Sequence, residues 1–237
     1  MDTVHVTLVR IDIDDALLAQ MIDALSPSEQ ARAARFRRLE DRRRHVVART
    51  VLKGLLAERL GGDACDVQFV SGPYGKPMLA SNALHFNLSH SGDLALIALA
   101  PRPVGIDLER DTPADAQALA QAWFTPAEQA RLAQGNDDFL TLWTAREAVL
   151  KAMGTGLSGE PDLDHYTCVR LDLGAALTEP GMQAIPRALS RDYRAAIAAS
   201  GAMLPVQLLS TDATRFAPRV TLDALAPASR DALCLHP

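Results

Sequence analysis

Residues 92–109 read Gly92-Asp-Leu-Ala-Leu-Ile-Ala-Leu-Ala-Pro-Arg-Pro-Val-Gly-Ile-Asp-Leu-Glu109. Leu94–Leu99 is a short continuous apolar run, the pattern of a strand buried on both faces. Pro101-Arg-Pro103 breaks it, because proline cannot donate to a sheet ladder, and Val104–Glu109 resumes as a second strand. A hundred residues later, Asp192-Tyr-Arg-Ala-Ala-Ile-Ala-Ala-Ser200 looks like Gly92–Ala100, and helical segments precede each of them. The expected fold class is therefore α+β, built from two similar halves. The first half spans residues 1–103 and the second 104–237, with the join near Pro101–Pro103.

The flanking sequence fills in both halves. Val4, Val6 and Leu8 alternate with His5 and Thr7, which predicts a first strand. Asp14–Ala24 reads as a helix, and Ser26-Pro27 supplies an N-cap and a first-turn proline for the next. A longer helix runs from about Asp41 to Leu60 and stops at Gly61-Gly62. Asp66–Val70 and His85–His90 read as strands around the turn-rich Ser71–Pro77. Helices follow over Ala114–Trp123, Pro126–Ala133 and Asp138–Met153, then strands over Tyr166–Leu173, Tyr193–Ala199 and Pro205–Leu209.

The chain has 237 residues, 48% hydrophobic and 22% charged, which excludes a disordered, collagenous or fibrous protein. The net charge of −5 argues against a generally basic nucleic-acid binder, yet its distribution is uneven: +1 over residues 1–103 and −6 over 104–237. Eight arginines lie between Arg32 and Arg49, either an anion-binding wall or a solvated helix face. The 24 basic residues comprise 21 Arg and only Lys53, Lys76 and Lys151; either GC-rich codon composition favours arginine throughout, or each surviving lysine marks a place where a compact ammonium does what a planar guanidinium does not. The three cysteines lack metal-like spacing. The N-terminus does not read as a signal peptide and no apolar run is long enough to span a bilayer, so a cytoplasmic protein without membrane contact is expected.

Asp107 and Glu109 lie two apart in a strand, on one face and ~7 Å from each other by backbone rise. They can bridge a hard cation or simply decorate a strand end. Glu147 and Lys151 are spaced i, i+4, as an ordinary helix salt bridge or as a functional pair beside Trp143. His90 stands between two serines before a glycine turn, and Tyr74-Gly-Lys-Pro77 can offer an amide and an ammonium to phosphate or be a plain tight turn. Carboxylates for a hard cation beside basic anion contacts form the inventory of phosphoryl-group transfer. Neither a P-loop nor a dinucleotide fingerprint is present.

The ordered set Gly75-Lys-Pro77, Phe86-Asn-Leu-Ser-His-Ser91, Val104-Gly-Ile-Asp-Leu-Glu109 and Trp143-Thr-Ala-Arg-Glu-Ala-Val-Leu-Lys151 resembles the Sfp-type 4′-phosphopantetheinyl transferases. The resemblance implies a pseudo-twofold monomer with the active site between its halves. It implies transfer of 4′-phosphopantetheine from coenzyme A (CoA) to a serine of an apo acyl or peptidyl carrier protein, with release of 3′,5′-ADP. Asp107, Glu109 and Glu147 then match the Mg²⁺ ligands. Glu147, or a metal-bound water, would deprotonate the serine, and Lys151 would stabilise the departing phosphate. Arg32, Arg44, Lys76, Pro77, Ser89 and His90, with Glu147 and Lys151, match regions that contact CoA. Three positions depart from the pattern: Arg146 where relatives often have Lys, Glu29 where some carry a basic phosphate ligand, and His45 where a small hydroxyl residue can occur. The alternatives are another Mg²⁺-dependent phosphotransferase or a non-catalytic anion- or nucleic-acid-binding module. The acidic second half and the absence of an aromatic stacking platform argue against the nucleic-acid module.

Overall fold

The computed structural model describes residues 3–156, 162, 165–173 and 192–216; the remainder of the expected second half lies outside the described residues. Strand β1 (Val4–Arg10) leads to α1 (Asp15–Asp23), capped by the Asp14 carboxylate, which accepts the Leu17 N–H. Helix α2 (Pro27–Ala33) opens on a reciprocal capping box between Ser26 and Glu29. Helix α3 (Leu39–Leu60) ends on Gly61, whose φ of 73° closes the helix in the left-handed region. The strand expected over Asp66–Val70 is shorter. The Asp63 carbonyl captures the Asp66 N–H in a 3₁₀ turn, so ladder pairing begins only at β2 (Phe69–Ser71), which pairs with β3 (Pro77–Leu79). Strands β4 (His85–Ser91), β5 (Leu94–Ala100) and β6 (Val104–Glu109) follow. Next come α4 (Ala116–Trp123), α5 (Pro126–Ala133), α6 (Phe139–Met153), β7 (Tyr166–Arg170), β8 (Arg194–Ser200) and β9 (Val206–Asp212).

One sheet has the order β4-β5-β1-β9, and a second has the order β6-β8-β7. Alternation along β5 divides its side chains between two cores. Ala95, Ile97 and Leu99 face α3 residues such as Val47, Val51 and Leu52. Leu94, Leu96 and Ala98 meet Val104, Ile106, Leu108 and Ile197 of the second sheet. The two sheets thus pack face to face, with α3 outside the first and α6 outside the second, where Ala148, Val149 and Ala152 lie on Ala196 and Ala198. The similar segments noted in the sequence become the central strands β5 and β8, and the α+β fold in two related halves holds. Strand β9 returns to the first sheet and pairs parallel with β1, so that sheet draws on both halves of the chain.

The helical wheel of α6 is busier than one apolar stripe. Its first half packs Phe139, Leu140, Leu142 and Trp143 against Ala120, Phe124 and Trp123. Its second half lies on the sheet. Gly105 makes that possible: a Cβ there would stand 2.0 Å from the Ala148 carbonyl oxygen and 2.2 Å from the Ala152 nitrogen. No described helix is long and apolar enough to cross a membrane.

Candidate active site

The site forms where β4, β6 and α6 meet. Asn87, Ser89 and Ser91 alternate on one face of β4 toward the edge of β6. The N–H groups of Ile106, Leu108 and Arg110 donate to Asn87 Oδ1 (2.8 Å), Ser89 Oγ (3.3 Å) and Ser91 Oγ (3.1 Å). Three side chains therefore satisfy a strand edge that backbone pairing leaves open. The serine hydroxyls then donate onward, Ser89 to Asp107 Oδ1 (2.9 Å) and Ser91 to Glu109 Oε2 (3.0 Å). Each serine thus fixes a carboxylate and the backbone that carries it. This ladder was not read from the sequence, although the alternation of Asn87, Ser89 and Ser91 with Phe86 and Leu88 is its signature.

Asp107 is 1% exposed. The Lys151 ammonium, reaching across from α6, donates to Asp107 Oδ1 (2.5 Å) and Ser89 Oγ (3.2 Å). Asp107 Oδ2 is buried and has no hydrogen-bond partner. Glu109 sits on the same face; burial first, and then the Asp107 charge, push its carboxyl up to about 7. Burial raises Glu147 as well, against the opposing charge of Lys151. The expected carboxylates are thus gathered at one corner with more negative charge than Lys151 neutralises. Hard oxygen donors and an unpartnered buried oxygen suit a divalent cation. Among the described residues, however, no three acidic, histidine or cysteine side chains stand grouped closely enough to hold a metal ion by themselves.

Basic groups surround this corner. His90 projects from the other face of β4, its pKa lowered first by partial burial of the ring and then by the charges of Lys151 and Arg44. Arg44 on α3 anchors itself through Nε to the Gly92 carbonyl (2.7 Å) and through a second nitrogen to Asp41 (2.8 Å). Arg32 is exposed at the end of α2, close enough to add its charge to the burial that lowers both His45 and Arg49. Burial and these arginines bring His45 down to about 4, so it is neutral at pH 7.

The remaining expected residues lie elsewhere. Lys76 and Pro77 line a separate groove with Tyr74, Met78, His85 and Tyr166. The Lys76 ammonium donates to the carbonyls of Val104 (3.0 Å), Lys151 (2.6 Å) and Ala152 (3.1 Å). Glu29 is a buried structural anchor: it accepts from Arg49 (2.9 Å) and Lys53 (3.2 Å) as well as Ser26. Burial alone would raise its pKa, but the bonds from Arg49 and Ser26 and the Lys53 charge bring it down to about 2. Arg146 faces Glu128 of α5 at 4.0 Å.

Comparison with known proteins bears on this arrangement. The family model for the 4′-phosphopantetheinyl transferase superfamily matches residues 103–198, and that for the N-terminal part of a 4′-phosphopantetheinyl transferase matches residues 14–102. The chain is 39% identical over 168 residues to the 4′-phosphopantetheinyl transferase HetI of Nostoc sp., covering 66% of this chain and 71% of that protein. It is 34% identical to psf-1 of Bacillus pumilus and 30% identical to Sfp of Bacillus subtilis, both named 4′-phosphopantetheinyl transferases. Those two matches span 62% and 56% of this chain, and 66% and 62% of the relatives. With both parts of the family pattern matched in order and a relative of this identity covered over more than two thirds of its length, the chain belongs to the 4′-phosphopantetheinyl transferase superfamily.

Proposed function

We propose that this enzyme transfers the 4′-phosphopantetheine group of CoA to a serine hydroxyl of an apo acyl or peptidyl carrier protein, releasing 3′,5′-ADP, with Mg²⁺ as cofactor. The supporting observation is the corner where Lys151 bridges Ser89 and buried Asp107 while Asp107 Oδ2, Glu109 and Glu147 remain under-compensated. Asp107, Glu109 and Glu147 are the residues that would hold Mg²⁺. When bound, the ion offsets diphosphate charge and the charge that develops on the leaving oxygen.

The chain's own groups supply the rest. Glu147, whose carboxyl burial raises above the usual carboxylate range in the metal-free protein, is the proton acceptor on the catalytic helix. It takes the serine proton as the serine oxygen bonds to the phosphorus that bears pantetheine. The bond from that phosphorus to the oxygen of 3′,5′-ADP breaks, and Lys151 donates to the departing phosphate. His90, Ser89, Arg44 and Arg32 contact the CoA phosphates. Pro77 and the groove beside it contact the rest of the nucleotide. The 1–103 half thus carries most CoA contacts and the 104–237 half the carboxylates and the catalytic helix.

The carrier docks against the exposed side of residues 111–125, whose other side packs Leu119, Ala120, Trp123 and Phe124 into the core beside α6. We place the enzyme in the cytoplasm as a monomer, since one chain supplies every group named. Intact-mass measurement of apo carrier proteins incubated with CoA and Mg²⁺ tests the proposal. A phosphopantetheine mass gain with one 3′,5′-ADP per event is expected. No mass gain on acyl or peptidyl carriers would overturn it.

A further inference from the structure

The geometry points to Lys76 as a positioning residue that sets the place of Lys151 from the opposite half of the chain, rather than as a ligand of CoA phosphate. An ammonium has three N–H donors. Those of Lys76 meet three backbone carbonyls, one at the start of β6 and two in the last turn of α6. None remains for a phosphate. The last four carbonyls of a helix have no intrahelical partner, and here two of them are satisfied by a side chain 75 residues away in sequence.

The delivery of this ammonium is built in. The hairpin between β2 and β3 is closed by Gly72 N–H to Lys76 carbonyl (2.8 Å) and Gly75 N–H to Gly72 carbonyl (2.9 Å), with Gly75 at φ 84°. The Lys76 stem passes Gly154, where a Cβ would stand 3.1 Å from Lys76 Cδ. Gly154 ends α6 at φ 78°. One of the clamped carbonyls belongs to Lys151 itself, whose side chain runs to Asp107 and Ser89. Releasing the clamp frees the backbone from which the Lys151 ammonium is aimed. A guanidinium is a poorer fit, because it is bulkier and its donors are fixed in one plane, whereas the three donors of an ammonium rotate to meet carbonyls of two elements at one nitrogen.

This inference rests on the transferase reading, and its test separates the two. Lys76→Met keeps the stem and removes the donors; Lys76→Arg keeps the charge and changes the fork. If Lys76→Met does not fold, Lys76→Gln, which can still cap one carbonyl, takes its place. In the carrier-modification assay both variants should lose about tenfold or more in kcat, with the KM for CoA within about twofold of wild type. Hydrogen–deuterium exchange should rise in the peptide covering residues 148–156 in the absence of any substrate. A raised KM for CoA with kcat retained would make Lys76 a phosphate ligand and overturn the inference, as would unchanged exchange over residues 148–156. If wild type transfers nothing, the transferase reading fails, while the exchange measurement still decides whether the clamp exists.

Discussion

Gly105→Ala is the smallest change that should disable the site without touching a catalytic group. The added Cβ would lie 2.0 Å from the Ala148 oxygen, 2.2 Å from the Ala152 nitrogen and 2.8 Å from the Lys151 carbonyl carbon. All three are backbone atoms, so no side chain can swing aside. Ordinary contact requires about 3.5 Å, so α6 must retreat from β6 by more than ~1 Å. Overpacking of this kind costs ~1–3 kcal/mol of stability. The kinetic effect should be larger. Glu147 and Lys151 ride on α6, whereas Asp107 and Glu109 stay on β6, and a misplacement of about 1 Å between reacting groups can lower a rate ~10²-fold. The assay is carrier modification by mass spectrometry alongside thermal unfolding, with the rate corrected for folded fraction. Wild-type turnover in Gly105→Ala would refute the claim that helix–strand approach at Gly105 sets the catalytic geometry.

Asp107→Ala and Glu147→Gln should each abolish measurable transfer while circular dichroism shows the fold retained; full activity in either would remove that residue from the site. Lys151→Arg should lose tenfold or more in rate despite its conserved charge, since a wider fork must replace an ammonium held between Ser89 and Asp107. Glu29→Gln should destabilise the protein by ~3 kcal/mol, because Lys53, 5% exposed, would keep its charge without its partner. Acid loss of stability follows the same group. The Glu29 carboxyl is depressed to about 2 from 4.5, so its contribution is complete above pH 4.5 and disappears as pH falls toward 2. Glu109 has the opposite sign: raised to about 7, it binds a proton more tightly in the folded protein, so stability falls as pH rises from about 4.5 through 7. Mg²⁺ should therefore raise the melting temperature more at pH 8 than at pH 5, and an equal rise at both would contradict the charge balance assigned to this corner.

Much of this architecture is readable from residue order alone. Ser26-Pro27, Gly61 and the Pro101–Pro103 break have local causes, so the elements they bound follow from short-range chemistry. The pairing of Asp107 with Glu109 also follows, because strand alternation is local. What sequence order could not disclose depends on three-dimensional approach. Gly105 sits in a strand like any weak strand former, and only the helix above it explains why no side chain fits. The return of β9 to β1 depends on sheet pairing across nearly the whole chain. Glu29 looked like a lost phosphate contact because its partners Arg49 and Lys53 lie one helix away.

The scarcity of lysine can now be argued from geometry rather than codon composition. The arginines from Arg32 to Arg44 serve on the exposed and half-exposed surface, whereas Arg49 and Arg146 have mostly buried side chains, each facing a carboxylate. Each lysine occupies a place where one compact ammonium meets its partners at close range. Lys53 is buried against one oxygen of Glu29 whose other oxygen Arg49 already holds. Lys76 meets carbonyls from two elements at once. Lys151 fits between a serine hydroxyl and a carboxylate oxygen that themselves are 2.9 Å apart. A compact charge with rotatable donors satisfies such sites, whereas five donors in a rigid plane leave some of them buried and unpaired. It follows that arginine at any of the three should be worse tolerated than lysine at Arg35, Arg37 or Arg38, all exposed. A set of six single exchanges, measured by melting temperature and turnover, tests this. Equal tolerance in the two groups would mean that composition, not geometry, chose the lysines.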